Sequence, residues 1–243
     1  MIPRHAVALD RAISPDRFGT YLRAAAGDHG RALDLYVWDR DLAAAVLADI
    51  AIVEVALRNA LNGALTAEHG DEWYLHDIGL DERSRAKLAA AWRRLPTRDR
   101  TPGRIVAQLM LGFWVELLDA GGVVGSRPPQ QWPVSYEERL WRPCLAAAFP
   151  GGRHEAAAAG ARFTRAWTHG HALVVQALRS RAAHHEPLVT GIPLPGRGQS
   201  ARPRVSVEEG ISTCALLLRM VDRDLAEWVA GESRVPGLLA AAP

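Results

Sequence analysis

Leu178 to Leu188, LRSRAAHHEPL, concentrates more chemistry than any other stretch of the chain. Arg179, Arg181, His184, His185 and Glu186 fall within eight residues, and Pro187 follows. A guanidinium holds phosphate oxygens through paired hydrogen bonds, and an imidazole takes or gives a proton near neutral pH. Together they suit phosphoryl chemistry. The plain alternative is a basic helix end that complements the helix dipole. Arg179 and His184 are five residues apart, so on a regular helix they point about 140° from each other and lie ~7.5 Å apart along the axis. Both reach one phosphate only through arginine's length or a distortion ahead of Pro187. His185 is the other candidate for the proton-transfer role.

The elements that must position these groups read as helices. FTRAWTHGHALVVQALRS has Phe163, Trp167, Leu173 or Val174 and Leu178 at helical spacing, which predicts a helix running into the motif. A longer pattern covers Ala32 to about Glu68. Leu35, Leu42, Val46, Ile50, Val53, Leu57, Leu61 and Leu65 form one apolar face, on one helix or on two with a kink. Beside that face Glu54, Arg58 and Asn62 recur every four residues, with Asn59 adjacent. A solvated ion pair there contributes only some tenths of a kcal/mol. The surrounding Val53, Val55, Ala56 and Leu57 instead predict a half-buried row with an organising role.

Caps and breakers divide the rest. Ser14-Pro15 opens a short helix that ends at Gly27, and Asp28 caps the long one. A helix over Leu80–Leu95 is capped near Asp81 and stopped by Pro96, and Thr101-Pro102 opens another through Met110, Trp114 and Leu118. Ser135 caps a helix through Trp141, bent or ended near Pro143. Ser206-x-x-Glu209 is a capping box for a helix through Leu217, Val221 and Trp228, after which SRVP ends the fold. Residues 1–13 read as a loosely held leader, and the Gly- and Pro-rich stretches 119–134 and 190–204 as surface loops. Arg93, Arg94, Arg98, Arg100 and Arg104 form the densest basic run, a solvated loop or a contact for RNA phosphates. No alternating strand pattern and no repeat appears. The expectation is an all-α fold, a single elongated helical bundle over 1–243.

Composition sets bounds on function. With 49% apolar and 23% charged residues the chain is an ordinary globular one, and a net charge of +2 is too small to argue for nucleic acid. Lys87 is the only lysine. The general abundance of Ala, Gly and Arg points to coding bias before phosphate recognition. Cys144 and Cys214 stand far apart in apolar surroundings, as buried reduced thiols do. No leader of basic-then-apolar character is evident, and Asp49 and Glu54 interrupt the most apolar stretch. A cytoplasmic protein without a membrane span is expected. Walker loops, dinucleotide fingerprints and zinc sets are absent, and His169 and His171 lie on different helix faces. No metal and no cofactor is assigned.

The spacing Arg179-x4-His184 resembles the R-x4-H motif of the HEPN superfamily, and RSRAAHHEPL is similar to the corresponding segment of its Abi-like (abortive infection) branch. RFGTYLRAAAGD, ALDLYVWDRDLAAA, EVALRNAL, TPGRIVAQLMLGFWVELL, YEERLW and VDRDLAEWVAGESRVP agree in the same order over nearly the whole chain. R-x4-H alone is a weak signal; the ordered set is a specific one. The resemblance implies a HEPN-like bundle with additional N- and C-terminal helices. It further implies a metal-independent endoribonuclease of the toxin and phage-defence type.

In that chemistry the RNA's own 2′-hydroxyl attacks the adjacent phosphate. A cyclic phosphate and a 5′-hydroxyl result. One chain supplies one Arg/His pair, so a two-fold homodimer would supply both proton-transfer groups in one cleft. His184 is then the proton-transfer residue and Arg179 holds the phosphate. Glu54, Arg58 and Asn59 support the motif helix, and Ser180, Arg181, His185 and Glu186 assist. Partners implied are RNA, a second copy, and an antitoxin protein or small inhibitory RNA. The family usually carries a larger residue, most often Asn, where this chain has Ser180. That departure speaks for the alternative, a non-catalytic RNA-binding or interaction module.

Overall fold

The computed structural model describes residue 8 and residues 11–125, 127–194 and 203–243. Most of the expected leader and the middle of the 190–204 loop lie outside them. The fold is all-α.

It is built on one helix. With α1 as Pro15–Ala24, α2 is His29–His69, 41 residues long without a break, or about 60 Å at 1.5 Å per residue. Asp28 accepts the Arg31 N–H at its start, and Gly70, at φ 85°, ends it. Every residue of the predicted face from Leu35 to Leu65 is buried. At ~1.5–3 kcal/mol for each large apolar side chain withdrawn from water, this face contributes substantially to the stability of the core.

Helix α3 (Glu82–Arg94) is capped by Asp81 as expected. The helix expected from Thr101 through Leu118 is two, α4 (Pro102–Gln108) and α5 (Leu111–Glu116), and the Thr101 side chain makes no capping bond. The break lets Ile105, Leu109 and Trp114 all reach the core. A π-helical turn over Glu137–Trp141 replaces the helix expected from Ser135. Helix α6 (Gly152–Ala158) precedes the motif helix α7 (Arg165–Ala183), whose first turn is capped by Thr164. Phe163 therefore lies ahead of the helix and packs on Trp141 and Phe149.

The C-terminal helix also divides, at Asp222, into α8 (Val207–Val221) and α9 (Arg223–Glu232). The fold continues past SRVP: α10 (Val235–Ala240) packs on α2, where the Leu238 carbonyl accepts the Trp38 indole N–H at 2.7 Å. Helices α7 and α8 lie against each other and both lie against α2. Gly210 permits the close approach, since a Cβ there would stand 2.6 Å from Ile192 Cδ1 and 3.3 Å from Leu178 Cδ2. Both predicted surface loops carry a two-residue antiparallel ribbon, Val123–Val124 with Trp132–Pro133 and Ile192–Pro193 with Arg204–Val205. The first ribbon is largely open to solvent, with Val123 and Trp132 exposed. No described helix is long and apolar enough to cross a membrane.

Candidate functional site at the end of the motif helix

Helix α7 runs antiparallel to α2, because Arg179 meets Glu54 while Leu188, further along, meets Asp39. Arg179 Nε lies 3.8 Å from Glu54 Oε2, and both side chains are partly open to solvent. The other Glu54 oxygen accepts the Leu111 backbone N–H at 3.2 Å, at the first turn of α5. One carboxylate thus ties the arginine of the motif to a helix end that needs an acceptor. Arg58 turns aside: its Nε approaches Asn59 Oδ1 at 3.5 Å, and among the described residues it makes no bond to the motif. The antiparallel register explains this, since one turn further along α2 faces a part of α7 upstream of Arg179. Asn59 is exposed. Asn62, on the same row, accepts the Trp73 indole N–H at 3.0 Å.

The motif helix stays regular to Ala183 and closes on a reversal of the chain. His184 is its cap residue, and His185 adopts φ 55°. The His185 N–H bonds to the Ala182 carbonyl at 3.1 Å and the Glu186 N–H to the Arg181 carbonyl at 2.9 Å. This is a Schellman closure with histidine where glycine is usual. It leaves His184, His185 and Ser180 exposed. Among the described residues no hydrogen bond or ion pair joins Arg179 to either histidine.

Arg181 is occupied elsewhere. Its guanidinium donates to the Pro187 carbonyl at 2.6 Å, to Glu186 Oε2 at 3.0 Å and to Thr190 Oγ1 at 3.2 Å. Burial lowers its pKa, with Glu186 partly compensating. Arg181 and Glu186 therefore clasp the turn after the motif.

The residue that the sequence reading passed over is Asp39. Only 4% exposed, it accepts the Leu188 N–H at 2.9 Å, the Val189 N–H at 2.8 Å and the Tyr21 hydroxyl at 2.9 Å. It fastens the segment after Pro187 to α2 and ties α1 to the same point. Burial raises its pKa above the ordinary carboxyl value, against the three hydrogen bonds and Arg181. Burial, and next the Asp39 charge, push the Tyr21 hydroxyl well above its usual range, so it remains a donor. The signal was present: Asp39 follows Leu35 by four and precedes Leu42 by three, which puts a carboxylate on the buried face of α2.

The basic run lies on the α5 side of the molecule, where Arg94 and Met110 border one surface pocket. Asp99 pairs with Arg104 at 2.6 Å and Arg98 at 4.0 Å, and Arg100 stacks 4.7 Å from the centre of the Trp92 ring. Arg93 and Arg94 are exposed. His169 and His171 are partly buried, and burial lowers the pKa of both; His171 packs edge-on to Trp167. Compared with known proteins, the chain matches no family model, no curated protein and no solved structure.

Proposed function

We propose that the chain is a metal-independent endoribonuclease of the toxin and abortive-infection type, acting as a homodimer on RNA. The observation that carries the reading is the Arg179–Glu54 pair. It holds a half-exposed guanidinium on the same helix end as two solvent-facing imidazoles. Arg179 would bind and stabilise the phosphate, while His184 takes the 2′-hydroxyl proton or gives one to the leaving 5′-oxygen.

Two features favour a composite site over a single-chain one. Among the described residues no hydrogen bond or ion pair joins Arg179 to His184. The solvent face of α2 beside Glu54 also carries a charge-free line of Ala44, Ala48, Ala51, Val55, Asn59 and Gly63, all exposed, along which a second copy can pack closely. The resemblance to the Abi-like branch supplies the reaction class, the cytoplasmic setting, and an antitoxin protein or small inhibitory RNA as the restraint. One observation favours the non-catalytic RNA-binding reading: Ser180 is exposed and too short to complete the motif as the family's asparagine does.

The test is RNA cleavage in EDTA with end-group analysis. Products should carry 2′,3′-cyclic phosphate and 5′-hydroxyl ends, and a 2′-deoxy nucleotide at the cut site should block the reaction. His184→Ala should slow cleavage on the order of a hundredfold or more, and Arg179→Ala comparably. A Mg²⁺ requirement, 3′-hydroxyl ends, or full activity without both His184 and His185 would refute the mechanism.

A further inference from the structure

Next to the motif, α1, the first half of α2 and the end of α7 border a cavity of ≈210 Å³. Arg17 and Tyr21 line it from α1, Tyr36 and Arg40 from α2, and His185 and Glu186 from the motif. It is smaller than the ~300–1,000 Å³ of pockets that enclose drug-sized ligands. One base or one phosphate group is the scale of guest it admits.

The charges at its wall are mostly committed. Asp39 is engaged by Tyr21 and two backbone N–H groups, Glu186 by Arg181, and Arg40 by Asp41 at 2.7 Å. Arg17 differs: its Nε is buried and has no hydrogen-bond partner among the described residues. A shielded guanidinium N–H without an acceptor is unfavourable, and a phosphate oxygen is the acceptor that guanidinium geometry suits best. Tyr36 meets Tyr21 edge to face, with ring centres 5.2 Å apart, and both rings border the same space. Aromatic rings beside an arginine are what single-stranded nucleic acid uses for bases and backbone. His185 reaches this wall through its left-handed backbone, while its neighbour His184 caps the helix.

We infer that this cavity is part of a nucleotide subsite: of one ribonucleotide of the RNA beside the scissile phosphate it admits the phosphate group, Arg17 pairing with it, while the base of the same unit lies against Tyr36 at the cavity's border. The inference rests on the ribonuclease reading for its ligand and extends it to base selection.

Calorimetric titration of the intact chain with each of the four ribonucleoside 5′-monophosphates, their nucleosides and inorganic phosphate tests it. At least one mononucleotide should bind more tightly than both its nucleoside and phosphate. Arg17→Gln should weaken that mononucleotide about tenfold and leave nucleoside binding nearly unchanged. Tyr36→Leu should weaken nucleotide and nucleoside alike by about the same factor, and Asp34→Ala, exposed on α2 and away from the cavity wall, should bind as the parent does. Circular dichroism of each variant checks that the fold is kept, and a lesser change, Arg17→Lys, replaces any variant that unfolds. The inference is overturned if no mononucleotide binds at millimolar concentration. It is equally overturned if phosphate alone binds as tightly as the nucleotide, or if the Arg17 and Tyr36 variants bind like the parent. Binding as expected without any RNA cleavage would sink the ribonuclease reading alone. Cleavage with unchanged KM and base preference in both variants would sink the subsite alone.

Discussion

Replacing Asp39 with alanine removes the acceptor for three donors at once. Leu188 N–H and the Tyr21 hydroxyl are buried, while Val189 is only half-buried and can turn to water. An orphaned buried donor costs ~1–3 kcal/mol, so two full losses and a partial one come to about 3–5 kcal/mol. Removing a carboxylate that burial disfavours returns part of this, and the net falls at about 2–4 kcal/mol. For a chain of this length each kcal/mol lowers the melting temperature by ~2–4 °C, which makes the expected drop roughly 4–16 °C. Thermal unfolding followed by circular dichroism reads it directly, with Asp34→Ala, exposed on the same helix, as a control expected within ~0.5 kcal/mol. Asp39→Asn keeps one acceptor oxygen and should fall between parent and Asp39→Ala. The pH dependence has a definite sign. A carboxyl whose folded pKa is raised contributes stability that is full below its unfolded value and is lost as pH rises through the folded one. Acidification from neutral pH should therefore improve the parent relative to Asp39→Asn. Should Asp39→Ala melt within a degree of the control, the clasp is not a stabilising contact and the reasoning fails.

Four further outcomes follow from the same structure. Glu54→Ala should leave helicity by circular dichroism largely unchanged and lower stability by only ~1–2 kcal/mol, while RNA cleavage falls further than that loss explains. In His185→Gly, relief of ~1 kcal/mol of left-handed strain meets an unfolded-state cost of ~0.4–1 kcal/mol, so urea denaturation should show a change between zero and about 0.6 kcal/mol in favour of the variant. Burial pushes the Cys144 thiol up to about 11 and the Cys214 thiol up to about 12. Both should resist alkylation at pH 8 in the native chain and react in denaturant, as mass spectrometry would show. Light scattering at micromolar concentration should give twice the 26.4 kDa chain mass; a monomer would count against the composite site.

Much of this protein is legible in one dimension because helices are local objects. A cap at Asp28, an apolar residue every three or four positions and Gly70 at the end suffice to write α2, and its eight face residues are all buried. The same periodicity brought Glu54 to notice as a polar group on a half-buried row. Periodicity does not register where a helix pauses. The breaks at Met110 and Asp222 arise because successive turns must face different neighbours, and α10 exists because Trp38 and α2 lie two hundred residues away to receive it. The motif divides in the same way. Its residues and its helix are read directly from the chain, but its stop is not: the helix ends at Ala183 on the left-handed His185, ahead of Pro187. That Arg179 pairs with Glu54 while Arg58 does not depends on the register of two antiparallel helices. Arg181's enclosure by its own loop and Asp39's hold on Leu188 and Val189 depend on a chain reversal set by the left-handed His185. Sequence names the charged groups; only tertiary packing decides which are consumed in holding the turn and which remain open to solvent.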